Sequence, residues 1–79
     1  MSYKKGEILI CTNNKYNSNL IIGDKYEIID FTRFVTDGFI RCSLDIRHLN
    51  SGKSSYWCDD RSFISLEVWR EFQLRKVLN

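Results

Sequence analysis

The stretch that most restricts the fold is the alternation over residues 40–47, IRCSLDIR. Ile40, Cys42, Leu44 and Ile46 fall on one side, and Arg41, Ser43, Asp45 and Arg47 on the other. Side chains of a strand point to opposite faces in turn, so this pattern predicts a half-buried antiparallel strand with a core face and a wet face. The NSGK turn follows at residues 50–53, and SSYWC after it reads as the return strand of a hairpin.

The rest of the chain is punctuated in the same way. Residues 7–12, EILICT, predict a short strand between Gly6 and the polar loop NNKYNSN. Gly23-Asp24 supplies turn chemistry, because glycine reaches positive φ without a Cβ clash, and a strand follows from about Lys25 to Phe31 with Tyr26 and Ile28 as core residues. TDG at residues 36–38 marks a further turn. The chain contains no proline. Four to five short strands joined by turns predict a mainly β fold, a small antiparallel barrel or sandwich.

The tail changes period. Ser65 is placed to cap a helix over about residues 66–78, with Glu67 in its first turn and Arg75 and Lys76 in its last, each with the sign that suits the helix dipole. At about 100° per residue its apolar residues form two clusters: Val68, Trp69 and Phe72, and Leu66, Leu74, Val77 and Leu78. One cluster can pack on the barrel, and the second is expected to meet another copy of the chain. Seventy-nine residues allow one domain, residues 1–79, with a barrel over about 6–64. So small a core gains from oligomerisation.

Charge and cysteine usage narrow the partners. Twelve basic and ten acidic residues give a net charge of +2, a weak imbalance for a nucleic-acid binder. No run approaches the roughly 20 apolar residues of a membrane span, and the opening residues do not read as a secretory signal. Three cysteines, an odd number, fit a reducing, cytoplasmic compartment better than a disulfide framework. Cys11, Cys42 and Cys58 with His48 lack the close cysteine pair that nucleates a zinc site, and Cys42 is in phase with core positions. No metal or cofactor is expected.

No catalytic set is visible. His48 reads as a loop or strand-end residue with nothing to orient it, and Asp59-Asp60 reads as a cap for the segment that follows. NSGKSS lacks the first glycine of a phosphate-binding loop and sits between strands. The aromatics are a stronger signal. Tyr3, Tyr16, Phe34, Tyr56, Trp57 and Trp69 are too many for one small core, and basic residues lie beside several of them in TRFV, YWCDDR and VWREF. A ring that stacks beside a guanidinium that takes a phosphate or carboxylate makes a recognition pair. The candidate set is Arg33, Tyr56, Trp57, Arg61, Trp69 and Arg70.

The segments KKGEILICTNN, LIIGDKYEII, DGFIRC, SSYWCDDRSF and SLEVWREFQLRKVL together resemble a group of small bacteriophage-encoded accessory proteins. The likeness covers nearly the whole chain and is carried by turn and core residues. One departure is Ser62, which separates Arg61 from Phe63 where the pattern sets arginine directly before phenylalanine. The resemblance implies an SH3-like barrel with an added C-terminal helix and a role against host defence. That role takes one of two main forms: a non-enzymatic sponge that binds a cyclic nucleotide signal without cleaving it, or a protein-binding inhibitor of a host enzyme. A nucleic-acid-binding barrel is the weaker alternative.

Overall fold

The computed structural model describes residues 3–78. Five strands run in chain order: β1 (Ile8–Cys11), β2 (Lys25–Thr36), β3 (Phe39–His48), β4 (Ser54–Asp59) and β5 (Phe63–Ser65). A 3₁₀ turn, Asp60–Ser62, joins β4 to β5, and the helix α1 (Leu66–Leu78) follows directly. All pairings are antiparallel, in the spatial order β4-β3-β2-β1-β5. The mainly β fold with a C-terminal helix is as the sequence implies.

The expected barrel is not closed. β4 and β5 are the two edges of the sheet and pair only inward. The sheet still curls, since Leu9, Tyr26, Ile28, Leu44, Ile46, Cys58 and Phe63, drawn from all five strands, meet in one buried cluster with Leu20. A flat sheet could not bring its two edges to a common core. The bend is set at Ile29, where the β2–β3 register slips between Ile28 and Asp30. An extra residue there kinks the strand and increases its twist.

Residues 40–47 behave as a half-buried strand with one exception. Cys42, Leu44 and Ile46 are sealed in the core, whereas Ile40 is 75% exposed. Its side is as the alternation predicts, but β2 runs on to Thr36 instead of ending near Phe31, so the β2–β3 hairpin projects past the core. Ile40 has only Val35 across the ribbon, and burial needs a further layer.

The helix starts where expected: the Ser65 hydroxyl accepts from the Val68 N–H at 3.2 Å. Its main contacts are with β1 and β5. Leu66, Trp69 and Gln73 are its half-buried residues, while Val68, Phe72 and Leu74 are exposed. Trp69 therefore shares the covered side with Leu66 and does not join Val68 and Phe72. The side chains of Val77 and Leu78 lie outside the described residues. Among the described residues no helix is long and apolar enough to cross a membrane.

Candidate functional site

The projecting hairpin is built by its turn. Asp37 and Gly38 have φ of 49° and 79°, the left-handed pair of a two-residue turn whose twist matches that of the strands it joins. The register pairs Thr36 with Phe39, Val35 with Ile40 and Phe34 with Arg41. Val35 and Ile40 therefore lie on one side of the ribbon, with Phe34, Arg41 and Phe39 on the other. All four apolar residues are exposed.

β4 adds two aromatic residues through a bulge. Leu44 pairs with Cys58 and Ile46 with Ser55, so Tyr56 and Trp57 together face Asp45. Trp57 has φ of 59°, a left-handed conformation that costs a non-glycine residue about 1–2 kcal/mol. The Asp45 carboxylate accepts from the Trp57 N–H at 3.1 Å, which holds the bulge. The consequence is an indole 78% exposed on an edge strand. Phe34, Arg41, Ser43, Trp57 and Asp59 line one shallow concavity of about 360 Å³ beside it.

Asp59 links this concavity to the 3₁₀ turn. Its carboxylate receives Nε and Nη2 of Arg61 at 2.9 and 2.7 Å and caps the Arg61 N–H at 2.8 Å. The side-chain bond from Arg61 is the main reason that its carboxyl titrates below the usual range, with the charge of Arg41 adding to the effect. The Arg61 guanidinium also stacks over Tyr16, 4.3 Å from the ring centre.

The candidate residues are thus spread over several places. Trp57 and Tyr56 stand on the bulged edge, but the arginine that shares the Trp57 concavity is Arg41, not Arg61, which is engaged by Asp59 and Tyr16. Arg33 faces Cys42 across the ribbon, on the opposite side from Phe34 and Arg41. Trp69 is half-buried on α1. Arg70 lines a separate groove with Lys4, Lys5 and Glu67, beside β1 and the start of the helix. Arg41 was legible only as a residue on the wet face of β3. The bulge that sets Trp57 beside it has no signal in the sequence, because it depends on the β3–β4 register.

Cys11, Cys42 and Cys58 are buried among the core residues, and burial raises the thiol pKa of Cys11 and Cys58. Asp59 caps the 3₁₀ turn as its position before Arg61 predicts. No protein-family model, curated protein or solved structure matches the chain. The reading of the site rests on its geometry.

Proposed function

We propose that this domain is a protein-recognition module that inserts its β2–β3 hairpin into an apolar cleft of a host protein and inhibits that protein by occupying it. The observation that carries the reading is a ribbon apolar on both sides: Val35 and Ile40 on one, Phe34 and Phe39 on the other. A flat partner covers one side; a cleft covers both. With Tyr56 and Trp57, six apolar side chains between 44% and 78% exposed present on the order of 800 Å². That matches one partner's share of a standard interface and exceeds the apolar patches usual on a free monomer. Trp, Tyr and Arg are the residues that dominate interface energies; Trp57 and Arg41 share a concavity with Phe34 at the base of the hairpin, and Tyr56 adjoins Trp57 on the exposed edge. The phage origin, the host cytoplasm as the place of action and the anti-defence role belong to this proposal through the resemblance.

A second reading is favoured by the concavity alone. Phe34 and Trp57 offer stacking faces beside the Arg41 guanidinium, the components needed to hold one base and one phosphate of a cyclic nucleotide. Area decides against it as the main function, since one nucleotide leaves most of the hairpin uncovered, and the Asp59 carboxylate in the same concavity opposes an anion. On α1, Val68 and Phe72 lie four residues apart and exposed, which supports a second copy of the chain on the helix.

The test is a photo-cross-linking residue in place of Phe39, with one in place of Glu67 as control, in infected host cells. One host protein captured at position 39 and not at 67 supports the main reading. If melting instead rises with a cyclic di- or trinucleotide, and Arg41→Ala and Trp57→Ala abolish the rise, the second reading holds.

A further inference from the structure

At the far end of β3 the structure supplies the orientation that the sequence does not show for His48. The turn after β3 is closed by His48 N–H to Lys53 carbonyl and Gly52 N–H to His48 carbonyl bonds, each 2.8 Å. That geometry folds Ser51 back over the imidazole, with its Oγ 2.7 Å from His48 Nδ1. The other ring nitrogen, Nε2, is 2.7 Å from Asp24 Oδ2. Asp24 stands in the Gly23-Asp24 turn before β2 and is carried here because Tyr26 pairs with His48 across the sheet. The imidazole is backed by the Tyr26 ring at 4.9 Å, and only 11% of its side chain is exposed.

An ionised carboxylate only accepts, so Asp24 holds the proton of neutral His48 on Nε2 and leaves Nδ1 as an acceptor. The hydroxyl proton of Ser51 then points to Nδ1. Ser51 Oγ also accepts the Lys53 N–H at 3.2 Å, a bond to a lone pair that leaves the hydroxyl proton free for Nδ1 and helps to fix the side chain. Nucleophile, base and orienting acid are within hydrogen-bond reach in that sequence, an arrangement recognised by geometry and not by order in the chain. The group opens on a cavity of about 450 Å³ lined by Ile21, Tyr26, Asn19 and Lys53 as well as Ser51 and His48.

We propose that Ser51, His48 and Asp24 are a second functional site, one that hydrolyses oxygen esters of short acyl groups. Ser51 Oγ attacks the ester carbonyl carbon while its proton passes to His48 Nδ1. The carbonyl–alkoxy bond breaks, the alcohol leaves with that proton, and the acyl group remains on Oγ. Water then attacks the acyl carbon, gives a proton to Nδ1, and the carboxylic acid departs as Oγ recovers its proton. Asp24 stabilises the imidazolium formed in both halves. The site lies at the opposite end of β3 from the projecting hairpin, so it is independent of the partner proposed there.

The experiment treats the whole chain with p-nitrophenyl acetate and, separately, with an alkyl fluorophosphonate, and measures intact mass. The expected result is one phosphonyl group on Ser51, and p-nitrophenol release that falls about 100-fold in Ser51→Ala and His48→Gln. Asp24→Asn is expected to slow release and to move the pH profile, because the imidazole loses its orienting charge. Melting of each variant separates lost folding from lost chemistry. Ser51→Cys gives a second route: iodoacetate is expected to alkylate that thiol several-fold faster than the same thiol in a Ser51→Cys, His48→Gln chain. No adduct at Ser51, equal hydrolysis by Ser51→Ala, or equal alkylation of the two cysteine variants overturns the proposal.

Discussion

Ile46 and Ile40 lie on one strand, six residues apart and on the same side, yet Ile46 is fully sealed and Ile40 is three-quarters exposed. Around Ile46 the curled sheet sets Leu9, Ile28, Leu44 and Phe63 against one another. Ile40 faces Val35 across the ribbon, and both are exposed. The two residues offer the same apolar side chain, and what differs is whether a second layer is present. Apolar residues in the first region hold the fold together. In the second they are held out from it, which is the physical basis for reading the hairpin as a docking element.

The matched pair of substitutions tests that difference most severely. Ile46→Ala is expected to cost about 2–5 kcal/mol, the range for truncating a fully buried aliphatic side chain. Ile40→Ala is expected to stay within about 0.5 kcal/mol, as for an ordinary surface change. Urea unfolding of both variants gives the answer, and similar losses would mean that the hairpin is part of the core.

A smaller effect distinguishes two of the left-handed residues of the same region, Gly38 and Trp57. Gly38 has φ of 79° with open space where a Cβ would stand, so Gly38→Ala is expected to lose about 1 kcal/mol through backbone strain and not through a clash. Trp57→Gly is expected to act in the opposite direction, with a gain of about 1 kcal/mol as strain at φ of 59° is relieved. A stabilised Trp57→Gly that no longer engages a partner marks the indole as kept for contact. A destabilised one shows that the indole contributes to folding.

A last effect lies beside the sealed half, is absent at neutral pH and appears only in alkali. Tyr3 donates to Asp60 at 3.3 Å, and its pKa is pushed up to about 12, first by burial and then by the Asp60 charge. A folded pKa above the unfolded value gives stability that is full below about pH 10 and is lost as pH rises through about 12. Tyr3→Phe is therefore expected to flatten the fall of the melting temperature over that interval while leaving neutral pH nearly unchanged. Tyr26, also raised by burial, continues to contribute to the remaining slope.

Much of the sealed half was legible in the sequence because its signals are local. Alternation gave the core face of β3, the Gly-Asp and Asp-Gly pairs gave two of the turns, and Ser65 marked the start of the helix. The candidate site was less legible because its parts meet through register. Arg41 meets Trp57 only because two residues of β4 face one residue of β3. His48 meets Asp24 only because β2 pairs with β3 at Tyr26. The length of β2 also escaped the sequence reading, since Thr32 to Thr36 continue as a ribbon with no core beneath them to impose alternation. Closure of the barrel depends on whether the two edges pair, and no single strand's sequence carries that information.

Whether the hairpin is dispensable for folding and required for binding is decided by one variant that tests both halves together. Phe34→Ser, Phe39→Ser and Trp57→Ser are combined in one chain, and its unfolding free energy and its affinity for the protein cross-linked at position 39 are measured side by side. The expected result is unfolding within about 1.5 kcal/mol of the parent, at about 0.5 kcal/mol per exposed site, and affinity weakened at least about 100-fold. Collapse of the fold with the affinity per folded molecule unchanged would contradict it.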